Sequence, residues 1–122
     1  MKQSEADILK AVTDLLTYEQ NTGRLVFFRL NAGAFPTQSG GWAKGVPAGT
    51  ADLLVIKKWY PIGGLNKGET VGISSVMFLE VKSEKGKQTE KQREFQDMVE
   101  KLDCEYCIVR SVDEVIELIG GE

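Results

Sequence analysis

Hydrophobic positions near the start of the chain fall at helical spacing. Ile8, Leu9, Val12, Leu15 and Leu16 share one face of a helix predicted over residues 4–18, and Ser4 with Asp7 three residues on supplies a capping signature. Glu5 is on that face by the 5, 8, 9, 12, 16 spacing, which puts its carboxylate at the rim of the core. The helix macrodipole favours an acid in the first turn on its own account. A turn at 21–23 leads to a strand at 25–30 (LVFFRL), rich in aromatic and branched residues. Residues 31–50 carry five glycines, two prolines and no periodicity, which predicts a long loop.

The pattern then turns to strands. Residues 51–60 (ADLLVIKKWY) read as a buried strand that emerges at Lys57, and 61–70 as a turn-rich connection. The next strand starts at Val71 or Ser75 and runs to Lys82. Alternation puts Val76, Phe78, Glu80 and Lys82 on one face and Met77, Leu79 and Val81 on the other. A helix is predicted over 89–102 with Phe95, Met98, Val99 and Leu102 inward, then a strand over 105–110. Ser111, with Glu114 three residues later, caps a last helix ending at Gly120. The order α-β-β-β-α-β-α predicts an α/β fold, a mixed β-sheet flanked by helices.

At 122 residues the chain suits one domain spanning 1–122. The absence of histidine narrows the chemistry most: it excludes Ser-His-Asp and Cys-His machinery and His-ligated zinc. Any catalysis must use carboxylates, lysines and backbone groups, with or without a hard metal ion. Net charge is −3, yet residues 82–93 (KSEKGKQTEKQR) carry +3. Such a strip fits a phosphate-bearing partner, or simply a solvated loop and helix start. Cys104 and Cys107 form a lone C-x-x-C without the second pair of a zinc ribbon. They precede a strand rather than a helix, so they are expected as half-buried structural thiols. No long apolar run is present, which predicts a soluble, cytoplasmic protein without membrane contact.

A carboxylate within buried strand material needs a partner. Asp52 and Glu80 are two such groups, and they converge if their strands are neighbours, about 4.8 Å apart. Two carboxylates that close repel unless a cation lies between them, and Mg²⁺ suits one or two carboxylates plus water and phosphate. Lys82 projects from the same strand face as Glu80 and is placed to position or deprotonate a water. The backbone carbonyl of Val81 is a further potential ligand. The plainer alternative makes Glu80 and Lys82 a surface ion pair and Asp52 a turn residue. Trp42 and Lys44, within the long loop, are placed either for stacking on a base and meeting a phosphate or for ordinary loop packing.

Gly49-Thr-Ala-Asp52, Phe78-Leu-Glu80-Val-Lys82 and Thr89-Glu-Lys-Gln92 together resemble the PD-(D/E)xK nuclease superfamily, and most of all its virus-type replication-repair nuclease (VRR-NUC) branch. The likeness runs from Glu5 to Arg110. Ala51 stands where the family commonly has proline, a position that carries no chemistry. The resemblance implies a restriction-endonuclease-like αβββαβ core and Mg²⁺- or Mn²⁺-dependent cleavage of nucleic acid. It makes Asp52 and Glu80 metal ligands, Lys82 the catalytic lysine, Glu5 an acid acting on the metal through water, and Gln92 a site residue. Thr89-x-x-Gln92 is equally a helix capping box. Lys85 and Lys87, with Arg29, Asn31 and Lys44, are expected along a DNA backbone; Arg29-x-Asn31-x-Gly33 also resembles the family. The resemblance further implies a homodimer acting on branched DNA, including four-way (Holliday) junctions, with no small-molecule cofactor. The alternatives are a non-catalytic nucleic-acid-binding module on the same fold and a small protein-interaction domain.

Overall fold

Branched and aromatic side chains at alternate positions build the central sheet. The computed structural model describes residues 3–30, 34–59 and 72–120. In chain order it has helix α1 (Glu5–Asn21), strands β1 (Leu25–Arg29), β2 (Ala34–Pro36), β3 (Trp42–Lys44), β4 (Leu53–Trp59) and β5 (Ile73–Val81), helix α2 (Glu90–Glu100), strand β6 (Glu105–Val109) and helix α3 (Val112–Gly120). The sheet order is β1-β4-β5-β6, antiparallel for the first two pairings and parallel for the last. The fold is mixed α/β.

α1 and α3 cover one face of the sheet. Ile8, Val12 and Leu16 on α1 and Val115 on α3 meet Leu25, Leu53, Val55, Met77, Leu79, Val81 and Val109 in one buried cluster. α2 covers part of the other face, where Phe95 and Val99 meet Phe78, Tyr106, Ile108 and Ala51. The Phe78 and Phe95 rings meet edge to face at 5.0 Å. Cys107 packs with the first cluster and Cys104 with the second, so the two free thiols sit on opposite faces. α2 leaves the β1–β4 side of its face uncovered: Val26 and Ile56 pair in register, as do Phe28 and Leu54, and Val26, Phe28 and Ile56 are exposed.

The structure corrects the sequence reading in five places. α1 runs to Asn21, three residues past the predicted end, until the chain turns at Gly23 with φ +82°. Residues 31–50 are not all loop: β2 and β3 pair antiparallel around a turn in which Thr37 N–H donates to Gly41 O at 2.9 Å and Gly40 takes φ +88°. The turn chemistry was in the glycines, but three-residue strands leave no periodicity to read. Met98 on α2 (60% exposed) and Leu102 in the turn after it (76%) face solvent, because the helix stops at Glu100; the inward stripe is Phe95 and Val99 with the polar Gln92 and Gln96 half-buried. Glu5 is exposed rather than set into the core rim, because it opens the first turn of α1, ahead of Ile8, the first buried residue of that helix. Glu114 accepts from Arg110 N–H at 2.8 Å rather than from the Ser111 amide, although Ser111 Oγ does cap α3 by accepting from Glu114 N–H. The connection at 61–70 lies outside the described residues. Among the described residues no helix is long and apolar enough to cross a membrane.

Candidate active site

Strand directions decide what meets what. β1, β5 and β6 end where β4 begins, α2 starts there after β5, and α1 starts there before running back to β1. The β4–β5 register pairs Leu53 with Leu79, and one further step sets Asp52 opposite Glu80. Leu30 N–H donates to Asp52 O at 2.9 Å, which extends the β1–β4 ladder to the same point. Asp52, Glu80, Lys82 and Gln92 therefore come together at one end of the sheet, with Arg29 at the end of neighbouring β1.

Each side chain is held. The main-chain N–H of Val81 donates to Asp52 Oδ2 at 2.8 Å. N–H and C=O of one strand residue point to the same side, so the Val81 carbonyl is also turned toward Asp52. Glu80 is 3% exposed; its Oε2 accepts from Gln92 Nε2 at 3.0 Å and lies 3.8 Å from Lys82 Nζ, an ion pair longer than a hydrogen bond. Its Oε1 is buried without a hydrogen-bond partner. Lys82 is 8% exposed, and its backbone N–H donates to Val109 O at 3.0 Å, which ties it to β6.

Gln92 has both of the roles left open by the sequence. Its Oε1 accepts from Thr89 N–H at 2.9 Å in a complete capping box while its Nε2 reaches Glu80. The glycine of the 49–52 motif also has a structural reason. Gly49 has φ +93°, and a Cβ there would lie 2.5 Å from the Lys91 carbonyl oxygen, so the loop before Asp52 sits directly on the first turn of α2.

The electrostatics follow from the crowding. Burial, then the charge of the neighbouring Asp52 carboxylate, push the Glu80 carboxyl up to about 8, with Lys82 pulling the other way. A hydrogen bond that protonated Glu80 makes to Asp52, and then Glu5, add smaller pushes upward, so the orphan oxygen is that of the ionised form. Exposed Glu5 thus stands near enough to act on Glu80 electrostatically.

A divalent cation fits this arrangement. Two acids at the end of a sheet, one of them with an orphan buried oxygen, form a cradle that a dication would neutralise and a neutral side chain would not need. Among the described residues no group of three or more His, Cys, Asp or Glu side chains is assembled for a metal. An ion here would take Asp52 and Glu80, the Val81 carbonyl, and water or phosphate, a donor set suited to Mg²⁺.

The basic residues divide. Lys85 and Lys87 are exposed in the loop that leaves β5. That loop is clamped by Arg110, whose Nη1 donates to Ser83 O at 2.7 Å, Gly86 O at 2.8 Å and Glu84 O at 3.3 Å. Gln88 anchors its far end through Gln96 and the Tyr106 hydroxyl. Arg29 is exposed beside the site; Lys44 is exposed on the β2–β3 hairpin; Asn31 lies outside the described residues. Sequence reasoning missed the Arg110 clamp and the Gly49 seat, since both depend on contacts between distant segments. No family model, curated protein or solved structure matches the chain.

Proposed function

We propose that the chain is a metal-dependent DNA endonuclease that hydrolyses phosphodiester bonds at the Asp52–Glu80–Lys82 site. The observation that carries this reading is Glu80: a buried carboxylate with an orphan oxygen, beside a second carboxylate and 3.8 Å from a buried lysine. The α1–β1–β4–β5–α2–β6 succession supports a restriction-endonuclease-like αβββαβ core, with the β2–β3 hairpin inserted between the first two core strands. Mg²⁺, or Mn²⁺ in its place, would be held by Asp52, Glu80 and the Val81 carbonyl, and would supply charge stabilisation and a more acidic water.

The chain's own groups have defined tasks. The Val81 amide fixes the Asp52 carboxylate, and Gln92 fixes that of Glu80. Lys82 holds the attacking water and stabilises negative charge on the phosphate. The water oxygen bonds to phosphorus as the bond to the leaving oxygen breaks, and the proton that the water gives up to solvent is matched by one that the leaving oxygen takes from solvent. Glu5 orients water at the margin of the site. Lys85, Lys87 and Arg29 grip backbone phosphates without reading sequence, which favours structure-selective cleavage of branched DNA. A homodimer fits the exposed apolar strip Val26, Phe28 and Ile56, which a second copy would cover.

The test is cleavage of labelled four-way junction, flap, nicked duplex and single strand, each with Mg²⁺ or EDTA, by wild type and Lys82→Ala. Cleavage of a branched substrate that needs Mg²⁺ and Lys82 is expected. Salt-dependent binding without cleavage in Mg²⁺ or Mn²⁺ would identify a non-catalytic module instead.

A further inference from the structure

The β2–β3 hairpin does not belong to the sheet. Among the described residues its two strands approach each other and no other strand or helix. An isolated two-stranded hairpin is marginal in water, and an exposed indole adds no buried area that would stabilise it. Yet Trp42 is 74% exposed. Burial along β3 alternates: Trp42 and Lys44 are exposed and point to one side, and Ala43 between them is half-buried. The excursion is closed at its base by the Leu30–Asp52 backbone bond and by the seat of Gly49 on α2. The hairpin is therefore rooted at the metal-site end of the sheet, and its root includes Asp52 itself.

We propose that this hairpin is a base-stacking element, with Trp42 taking an unpaired base at a discontinuity in DNA and Lys44 meeting the adjoining phosphate. The proposal rests on the nuclease reading and adds to it the feature of DNA that is recognised. A large π-face with a cation two residues away suits a base and its phosphate. Intact duplex keeps its bases stacked inside and offers nothing to an indole on a projecting hairpin. A fork, flap or junction exposes base faces where strands part, within reach of a site rooted at the same place.

The experiment compares a forked duplex and a blunt duplex of equal length in EDTA, with wild type, Trp42→Ala and Trp42→Phe. The fork carries 2-aminopurine at its first unpaired position. Wild type should bind the fork more tightly and quench the 2-aminopurine. Trp42→Ala should lower the fork-to-duplex affinity ratio about 5- to 100-fold and abolish the quench, and Trp42→Phe should restore most of both. A ratio and quench unchanged in Trp42→Ala overturn the proposal. So does a shift in sedimentation of Trp42→Ala without DNA, which would make Trp42 a protein contact. A wild type that cleaves with Mg²⁺ but gives either result keeps the nuclease reading and loses the hairpin's role; one that binds no DNA loses both.

Discussion

The amide of Val81 and the carboxylate of Asp52 are joined by a 2.8 Å hydrogen bond, at the point where a regular ladder would offer that amide a carbonyl. Val81 lies between Glu80 and Lys82, so this one bond ties the β4 acid to the strand that carries the other two functional groups. The side chain of Asp52 is thereby fixed while it faces Glu80, and the two acids are kept together despite their repulsion.

The burial of Glu80, with that repulsion second, has a pH signature. The Glu80 carboxyl is pushed up to about 8 in the fold, against an ordinary value of 4.5. Between those values the folded chain keeps a proton that the unfolded chain has released, so stability falls as pH rises, by up to about 1.4 kcal/mol per pH unit. Urea unfolding in EDTA at pH 5, 6.5 and 8 should show wild type losing stability relative to Glu80→Gln across this range. Saturating Mn²⁺ should flatten the trend.

The two contacts of Gln92 separate by substitution. Gln92→Glu keeps an acceptor for the Thr89 amide but loses the donor to Glu80 and adds a charge beside it. Gln92→Ala loses both contacts, at a cost of about 1 kcal/mol for the cap. In EDTA at pH 8, Gln92→Glu should be the less stable of the two by urea unfolding. At pH 5 the order should reverse.

Gly49→Ala should be far more harmful than Gly40→Ala. Both glycines have positive φ, but a Cβ at Gly40 meets nothing within 4 Å whereas one at Gly49 meets Lys91 backbone at 2.5 Å. About 1 kcal/mol is expected for Gly40→Ala and several for Gly49→Ala, read from urea midpoints. Only Gly49→Ala should also weaken Mn²⁺ binding, since it displaces the loop before Asp52.

Lys85 and Lys87 are predicted to act as phosphate contacts. Replacing either by alanine should lower the slope of log affinity for DNA against log salt by about 0.9, uniformly across sequences. Arg110→Ala, which frees three carbonyls of their loop, should reduce affinity with little change in Mn²⁺ binding.

The strands and helices were legible because their periods are strong, and the pairing of Asp52 with Glu80 followed once their strands were neighbours. Glu80 and Lys82 fell on one face by simple alternation. The hairpin was not legible, since three-residue strands carry no period. Met98 misled because only Phe95 and Val99 of α2 reach the sheet, and Leu102 because the helix stops at Glu100. The dual contact of Gln92, the clamp by Arg110 and the seat of Gly49 arise between segments far apart in the chain, where local pattern carries no information.

A Mn²⁺ titration followed by electron paramagnetic resonance tests most directly whether Asp52 and Glu80 share a divalent ion. At pH 8, wild type should bind Mn²⁺, and Asp52→Asn and Glu80→Gln should each weaken binding more than about 100-fold. Lys82→Ala, which removes a competing positive charge, should bind at least as tightly. Wild type that binds no Mn²⁺ at millimolar concentration, or binding that both acid substitutions leave unchanged, would contradict the account.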